Sequence, residues 1–595
     1  MIDGMFISGF KAFPFTWDYL RLRPITLIFG TNGAGKSSLL QGLAYLHHLH
    51  AGGKVDAHRL QLTGPHVNLG GFQKFRNRTD TNMCGGALET TEGLGMGWGF
   101  RPFPDPIRSP DVESGRFPFP GVDAPSWCLT YEISPPEISL VRIFCGPLSI
   151  VWGRVGVDFV HQGFWATFQG VRDMPDDVEQ MDPRSLRACI TSLFGVGRVD
   201  KEELTDEWCA EFSTWIRDRL REGIFSLRGI APSFQLGVIP SGGPVWGEAF
   251  LRNLETAVAY MDQDVREFIE SAAYLGPWRG IPTASDLAAA QGEALSDEIA
   301  LWERLRDDES LRVALNSWLK RMGSALEVGI RDLVGREKVL FELMKSAAQS
   351  GYLWDQEGRD AGIKNPGTVN VDELFECLSN LPSDEKGVIL HLAPSKEEIA
   401  PSDTGVGISQ VVPVLIAALS GTPRKWLIEQ PELHLHPKAQ AELGDLFILG
   451  SVTNLGSNHW FIVETHSEHL ILRLLRRVRE TCQLFMKNDY PLHPDEVAVA
   501  YVGVEIGAKG YLAPEGLVRV DESGEGLFRL QQLSDQQITM LDEDSRKDYV
   551  GASRITCLPV TSEGDFSVKW PNGFFEERLD EMFSDDELHR WMKGN

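Results

Sequence analysis

Cysteine is scarce in this chain, and the few cysteines that it has are scattered. The 595 residues include 8 cysteines, and no two of them form a Cys-x-x-Cys pair. Zinc sites and the disulfide frameworks of small secreted domains both need closely spaced cysteines. The sequence therefore argues against both kinds of site and fits a reducing cytoplasm, where we expect the protein to reside.

Long apolar runs are missing as well. No uninterrupted run reaches the roughly 20 residues that a membrane-spanning helix needs. The opening Met1–Gly4 has no basic stretch of the kind that begins a signal peptide. Hydrophobic residues make up 42% of the chain and charged residues 24%, as in ordinary globular proteins. We expect no membrane association, and at this length we expect several lobes.

Positive charge is in deficit. The chain has 57 Lys and Arg against 84 Asp and Glu, which gives a net charge of -27. A protein that bound DNA over its whole surface would be basic, so any DNA contact must be local or must go through a partner. One basic cluster is Lys74–Arg78. A second cluster follows an apolar helix-like face and fits the solvated side of an amphipathic helix better than a DNA site; its members are Arg473, Arg476, Arg477 and Arg479.

What the chain does contain is a glycine-rich segment of very specific form. Residues Gly30–Ser37 read GxxxxGKS, after the apolar run Ile25–Phe29 and before the helix-like Ser38–Leu43. In such a strand–loop–helix unit, backbone N–H groups surround phosphate oxygens and the helix N-terminus adds partial positive charge. We expect Lys36 to reach the β- and γ-phosphates and Ser37 to ligate Mg²⁺. The residues predicted to bind ATP or GTP are Gly30, Asn32, Gly33, Ala34, Gly35, Lys36, Ser37 and Ser38.

A second segment supplies acids. Glu429 ends the apolar strand Trp426–Ile428, where a Walker B acid would meet the metal directly or through water. The next position usually carries the carboxylate that activates water in ATPases of the ABC class, but here it is Gln430, which cannot abstract a proton as a carboxylate does. Hydrolysis should therefore be slow or use another base, and Glu432 is the nearest candidate. Gln73 is a candidate to link Mg²⁺ to a helical lobe, with an ordinary turn residue as the alternative.

The segment Asp403–Gln410 predicts a second anion-binding helix start. Its small residues Gly405, Gly407 and Ser409 precede a helix-like run, and a helix N-terminus attracts anions. In a monomer this terminus would have nothing to bind. In a head-to-tail dimer it could cap the γ-phosphate held by the other subunit's loop.

Histidines complete the set of candidates. His466 follows the strand-like Trp460–Val463 and is placed to sense the γ-phosphate, with a capped surface histidine as the alternative. His434 and His436 alternate with leucines and form no complete metal site, so we interpret them as structural.

The order of these elements resembles the ABC-type ATPases of the SMC and double-strand-break-repair superfamily, whose opening is similar to Gly9–Lys11. It is more similar still to the prokaryotic AAA-type ATPases related to the overcoming-lysogenization-defect family. One branch of these carries a small C-terminal domain, whose pattern appears at Trp570–Glu576. That branch's central motifs resemble Tyr274–Arg279 and Asn316–Leu319. The resemblance spans most of the chain and is weak between residues 80 and 260.

The resemblance implies an α/β fold in which an ABC-type ATPase head is assembled from N- and C-terminal parts, with an inserted β-rich and helical middle region. The first part of the head is predicted at residues 1–80 and the second part at residues 401–480. Between them we predict a loop-rich and then helical lobe at residues 81–270 and a helical linking region at residues 271–400. A small C-terminal domain is predicted at residues 481–595.

The resemblance also implies a function. Members of this family use ATP and Mg²⁺, pair as a homodimer or higher oligomer around ATP, and are often encoded beside nucleases or other effectors in antiviral defence. The branch carries Gln at the position of Gln430, although an engineered trapping substitution would look the same. No Toprim-like acidic set follows His466, so any cutting would belong to a separately encoded effector such as a nuclease.

Two other functions stay open at this stage. One is a DNA-repair or DNA-processing ATPase that acts directly on DNA, which the net charge disfavours. The other is a scaffold in which ATP is a structural ligand without turnover, which Gln430 makes plausible. A transporter subunit fits poorly, because the chain lacks a transporter-type signature and a long insert separates its two halves.

Overall fold

The structure is a computed structural model that describes residues 2–13, 17–60, 67–69, 71, 74, 94–101, 127–145, 148–155, 158–166, 205–236, 247–277, 279, 281, 297–333, 336–349, 378, 385–393, 395–399, 406–452, 458–483, 489–508, 511–513, 516–520, 527–529 and 549–567. Several predicted features lie outside the described residues. These are Gln73, Gly405, the basic residues 75–78 and the C-terminal pattern Trp570–Glu576.

Strands and helices are numbered in chain order. The strands are β1 (Ile2–Ser8), β2 (Asp18–Arg21), β3 (Ile25–Gly30), β4 (Arg59–Leu60), β5 (Val67–Asn68), β6 (Leu94–Phe100), β7 (Trp127–Ser134), β8 (Glu137–Cys145), β9 (Leu148–Val155), β10 (Asp158–Ala166), β11 (Ile224–Arg228), β12 (Ala231–Gln235), β13 (Ala272–Leu275), β14 (Leu326–Leu333), β15 (Glu385–Leu392), β16 (Glu398–Ile399), β17 (Lys425–Glu429), β18 (Trp460–Glu464), β19 (Val497–Ala508), β20 (Tyr511–Ala513), β21 (Gly516–Val520), β22 (Leu527–Arg529) and β23 (Tyr549–Leu558). The helices are α1 (Lys36–His50), α2 (Asp206–Glu222), α3 (Gly247–Glu270), α4 (Asp297–Asp307), α5 (Glu309–Arg321), α6 (Arg336–Gln349), α7 (Val406–Leu419), α8 (Pro437–Ser451) and α9 (Glu468–Cys482).

The chain forms two compact units, and each is built from separated stretches of sequence. The first unit comprises Met1–Pro277, Gly421–Glu432 and Gln440–Asn595. The second comprises Trp278–Ser420 and Leu433–Ala439. The five domains proposed from the sequence remain a prediction.

The first unit contains a six-stranded sheet in the order β13-β17-β18-β3-β19-β23. The first five strands are parallel to their neighbours, and β23 runs antiparallel to β19. Strands buried on both faces read as near-continuous apolar runs, as β3 does. Because β3 comes from the N-terminal part and β17 and β18 come from the C-terminal part, the predicted α/β fold with a head assembled from both parts is confirmed.

A nine-stranded antiparallel sheet in the order β12-β11-β10-β9-β8-β7-β6-β1-β2 completes the framework of this unit. The predicted strands at Trp127–Glu132 and Leu140–Phe144 are confirmed as parts of β7 and β8. Helix α1 packs on β3, β17 and β18 of the six-stranded sheet. On another side, Gly42 of α1 faces Met5 and Ile7 of β1, at about ordinary van der Waals distance for a Cβ. The helix that follows the glycine loop is therefore fixed against both sheets.

The second unit is smaller and mainly helical. In it α7 packs on α4 and α5, and a three-stranded antiparallel sheet has the order β14-β15-β16. Helix α7 is apolar on nearly all sides. All of its residues from Val411 to Ala418 are buried, including Pro413 inside the helix. A helix that is hydrophobic all round belongs in a core, so its first turn is held rigidly by the rest.

Gly30 shows how closely the strands approach at the start of the loop. It has a φ of +144°, and a Cβ placed on it would lie 2.0 Å from the carbonyl oxygen of Val502 in β19. We expect Gly30→Ala to lower the stability of the ligand-free protein by about 3 kcal/mol or more, because overpacking in a core is one of the few causes of large losses of stability. Thermal unfolding measures the loss.

Gly33→Ala is the matched control. Gly33 also has a positive φ, +76°, but a Cβ there would meet nothing within 4 Å. It should cost only the left-handed strain, about 1–2 kcal/mol. Equal melting temperatures for the two variants would contradict the close approach at Gly30.

Candidate nucleotide-binding site

The glycine loop joins β3 directly to α1. Gly35 precedes α1 with φ 93° and ψ 17°, a left-handed conformation that glycine adopts without steric cost. A Cβ on Gly35 would lie 2.7 Å from the Cβ of Ala12. Asn32 and Gly33 are exposed, whereas Ala34 and Ser38 are buried. The loop thus exposes its tip and anchors its ends, as phosphate binding by backbone N–H groups requires.

Lys36 lies inside the loop. Its ammonium donates to the carbonyl oxygens of Thr31 and Gly30 at 2.7 and 3.1 Å. Burial lowers the pKa of Lys36, and the nearby Glu464 and Glu432 act in the opposite direction and favour the charged form. The lysine is therefore held next to the loop by weak, exchangeable main-chain contacts, and a phosphate could take their place.

Parallel pairing brings three strand ends to one edge of the sheet. Strand β18 lies between β3 and β17, and Glu464 of β18 pairs in register with Glu429 of β17 and with Ile28 of β3. The main chain continues this pairing beyond the strands, since Thr465 N donates to Ile28 O at 2.9 Å and Gln430 N donates to Glu464 O at 2.8 Å. Carboxyl ends of parallel strands are the usual position of ligand sites in open α/β sheets.

Glu429 is buried and has defined neighbours. The hydroxyl of Tyr274 in β13 donates to its Oε1 at 2.5 Å, and only 7% of the residue is exposed. Lys11 is close enough for Glu429 to favour its charged form, against the burial that lowers the pKa of Lys11. Neither Tyr274 nor Lys11 was assigned a site role from the sequence. Both lie in segments noted only for family resemblance, far from Glu429 along the chain.

Glu432 holds the chain segment after β18. Its Oε1 accepts a hydrogen bond from His466 N at 2.5 Å, and only 7% of Glu432 is exposed. The contact fixes the backbone at His466. This is a positioning contact, and the role of Glu432 as a replacement base stays a prediction. Ser467, the next residue, caps α9 by accepting from Leu470 N and donates to Gln440 Oε1.

His466 itself reaches solvent, unlike its buried neighbours Thr465 and Ser467. Partial burial lowers its pKa, and the positive charge of Lys36 lowers it further. An imidazole with a lowered pKa is neutral at pH 7 and can donate through one nitrogen while it accepts through the other. That state suits a residue that senses a phosphate oxygen.

Glu464 is the site residue that sequence reasoning missed. It is 3% exposed, and burial raises its pKa, while the neighbouring Ser37 hydroxyl and the charge of Lys36 act in the opposite direction. The available signal was an acid at the end of an apolar strand, directly before Thr465 and His466. That signal is the same one that identified Glu429.

The donors near Ser37 suit a hard cation. Mg²⁺ prefers oxygen ligands and is usually held by one or two carboxylates together with substrate phosphates. Ser37 and Glu429, the predicted ligands, and Glu464 supply such oxygens. Within the described part of the chain, no group of three or more His, Cys, Asp or Glu could hold a metal by itself. A site for Mg²⁺ here would therefore share the ion with the nucleotide.

The predicted signature segment opens α7 in the second unit. A Cβ on Gly407 would lie 2.6 Å from the carbonyl oxygen of His434, and Ser409 is half-buried. Gln410 is held by reciprocal hydrogen bonds with Arg279, whose main-chain N donates to Gln410 Oε1 at 3.0 Å and whose main-chain O accepts from Gln410 Nε2 at 2.9 Å. Arg279 was not predicted as a partner of this helix.

The arginines of α9 are engaged within the protein. Arg473 and Arg477 both donate to Asp445, which is fully buried, and Arg476 and Arg477 donate to Glu480. Arg479 donates to the carbonyl oxygens of residues 563 and 564. The predicted amphipathic helix agrees with these contacts. The prediction that all of these arginines lie on its solvated side was wrong for Arg473 and Arg477, whose side chains are mostly buried against Asp445.

Comparison with known proteins adds a family match. The family model described as "AAA domain, putative AbiEii toxin, Type IV TA system" matches residues 281–473, a stretch that contains α7, Glu429 and His466. No curated protein matches the chain.

Three of the solved structures with detectable similarity are SMC heads. A SmcHead bound to the C-winged helix domain of ScpA is 10% identical, with 94% of this chain and 98% of that chain covered and a TM-score of 0.32. An Smc head with an extended coiled coil, bound to the C-terminal domain of ScpA from Pyrococcus furiosus, is 10% identical, with 84% and 93% covered and a TM-score of 0.27. The SMC head domain from Thermotoga maritima is 8% identical, with 84% and 94% covered and a TM-score of 0.26.

The fold and the site together define a nucleotide-binding ATPase of the P-loop class. The glycine loop after β3, the acids at the ends of β17 and β18, and the family match for an AAA domain all agree on this class. None of the helices that the structure describes is long and apolar enough to cross a membrane.

The charge state of His466 can be tested. We expect its titration midpoint below the ordinary value of 6.5, because burial and Lys36 both disfavour the imidazolium. NMR of the ring nitrogens measures it, with His466→Gln to assign the signal among the 14 histidines. In Lys36→Ala the midpoint should rise only part of the way toward 6.5, because burial is the larger cause of the lowered pKa and remains in the variant. A midpoint above 6.5 in the parent protein would contradict the structure.

Proposed function

We propose that this protein is an ATP-binding and slowly hydrolysing ATPase that dimerises around the nucleotide and thereby regulates a partner effector in antiviral defence. The observation that carries the proposal is the convergence at one sheet edge of the loop, the buried acid Glu429 and His466, with Gln430 where a base would act. Such a site would bind ATP tightly and hydrolyse it slowly, which suits a switch.

ATP would bind to the glycine loop. The main-chain N–H groups of residues 33–38 and the ammonium of Lys36 would hold the phosphates, and Mg²⁺ would neutralise the charge that develops on the transferred phosphoryl group. Ser37 and Glu429 would hold the ion on the protein side. His466, neutral and solvent-accessible, would contact the γ-phosphate or the attacking water.

The dimer would complete the site. The first turn of α7 is shaped by Gly407, where a side chain has no room, and by the half-buried Ser409. Helix starts of this kind bind anions. We infer that this turn meets the γ-phosphate held by another copy of the chain, so that closure reports on bound ATP. Ser409 would lie at the contact.

The effector would be a separately encoded protein, such as a nuclease. The described arginines of α9 are engaged internally, and the net charge of -27 disfavours broad DNA binding. DNA would then be contacted locally or through the partner. A nuclease gene adjacent to the gene for this protein would support the assignment.

Dimer closure is tested with Ser409→Arg. A long cationic side chain at the contact should block ATP-dependent dimerisation while the loop of the same chain still binds ATP. Light scattering after size exclusion, with and without Mg²⁺-ATP, measures dimerisation, and a fluorescent ATP analogue measures affinity. Lys36→Ala is the matched control that should lose both binding and dimerisation. If Ser409→Arg dimerises as the parent protein does, the sandwich model is wrong.

The chemical role of Gln430 is tested with Gln430→Glu. A correctly placed carboxylate should raise the ATP turnover rate by about 10²-fold or more, within the range that a positioned general base contributes. Steady-state phosphate release measures the rate, and the double variant with Lys36→Ala reports the background. If neither the parent protein nor Gln430→Glu hydrolyses ATP, the result would instead support an ATP-bound scaffold.

A further inference from the structure

Glu464 has an unsatisfied oxygen in a buried position next to the loop. Its Oε2 is shielded from solvent, and no donor among the described residues reaches it. Buried polar atoms in native structures nearly always have a partner, and a buried acceptor left alone costs about 1–3 kcal/mol. An oxygen left in this state beside a ligand site indicates that something outside the chain completes it.

The neighbours of the Glu464 carboxylate point to what that partner is. The carboxylate lies beside the hydroxyl of Ser37, the loop residue predicted to ligate Mg²⁺. A carboxylate next to that hydroxyl lies on the metal side of the loop. Lys36 is close to Glu464, but its ammonium donates to the carbonyl oxygens of Gly30 and Thr31.

Glu429 differs from Glu464 in the groups that offset its negative charge. It pairs in register with Glu464 on the neighbouring strand, so both residues end their strands at the same edge. Adjacent strands are only about 4.8 Å apart, and like charges placed side by side are destabilising. Glu429 has the Tyr274 hydroxyl and the nearby positive charge of Lys11 to offset this. Among the described residues, Ser37 and the charge of Lys36 act in this way on Glu464.

We propose that Glu464 is a carboxylate of the magnesium site, which acts with Ser37 on the ion or on one of its water molecules. The proposal rests on the proposed function, because it presumes that Mg²⁺-ATP occupies the loop. Sequence analysis gave Glu429 as the carboxylate that meets Mg²⁺, and the proposal adds Glu464 as a second one. A divalent cation would satisfy the buried Oε2 and separate the two neighbouring negative charges.

The test is the magnesium dependence of nucleotide binding. A fluorescent ATP analogue is titrated into the protein at a series of Mg²⁺ concentrations and in excess EDTA. In Glu464→Gln, which keeps the shape and removes the charge, the Mg²⁺ concentration for half-maximal enhancement should rise roughly 10- to 100-fold, as loss of a group that supports a metal does. Binding in EDTA should stay as in the parent protein. The readout therefore does not depend on turnover.

Glu442→Gln is the matched control. Glu442 of α8 is also a buried acid, but its ion pair is with Arg473 of α9, at 3.6 Å, and not with the loop. It removes the same charge, so its Mg²⁺ dependence should stay close to that of the parent protein. Equal shifts in the two variants would mean a general charge effect and would overturn the proposal.

Outcomes for the two proposals are separable. If the parent protein does not bind the analogue at all, the proposed function fails. If it binds with a clear Mg²⁺ dependence that Glu464→Gln leaves unchanged, only the role of Glu464 fails. Should Glu464→Gln not fold by circular dichroism, Glu464→Asp replaces it, because a retained charge on a shorter arm should still weaken the Mg²⁺ dependence. Full parental Mg²⁺ dependence in Glu464→Asp and in Ser37→Ala would then overturn the proposal.

Discussion

The site depends on one pairing, the insertion of β18 between β3 and β17. Because all three strands are parallel, the loop after β3, Glu429 at the end of β17 and Glu464 at the end of β18 share an edge. The strands come from opposite ends of the chain, yet the entropy of closing the long connection grows only logarithmically, by about 0.6 kcal/mol for each doubling of length. A large insertion is therefore compatible with a precise site.

Electrostatics at this edge favour a ligand that brings its own cation. Burial lowers the pKa of Lys36 and Lys11 and raises the pKa of Glu464, so each of these three groups is charged against a desolvation cost. The two lysines offset the acids only in part, because Lys36 also bonds to main-chain oxygens. In the proposed mechanism, Mg²⁺-ATP supplies phosphate charge to the lysine and a metal to the carboxylates at the same time. Neither component alone would balance both sets of groups.

Local patterns predicted the parts of this site that a single strand or loop determines. Gly30–Ser37 has a form that requires specific glycines between a strand and a helix, and Glu429 and His466 follow apolar strands. Glu464 carries the same local signal as Glu429, an acid at the end of an apolar strand. Tyr274 and Arg279 carry no such signal, because their partners are set by which strands and helices become neighbours. Glu464 matters only because β18 lies next to the loop strand. Tyr274 matters only because β13 pairs with β17. The α/β class was predicted from the resemblance that these motifs carry, whereas the sheet order was not predicted.

In the proposed mechanism, Gln430 is the residue that makes an ATPase site act as a switch. Its backbone has a φ of 43°, in the left-handed region that most side chains avoid, and its N–H donates to Glu464 O. Strained positions of this kind persist where the surrounding structure enforces them, and they cluster at functional sites. The backbone at Gln430 is therefore held in a fixed conformation by its surroundings. An amide in place of a carboxylate can still donate to or accept from a water molecule or a phosphate, but it cannot take a proton. In the proposed mechanism, this position therefore favours holding ATP over hydrolysing it, and the lifetime of the closed dimer becomes the signal that the effector receives.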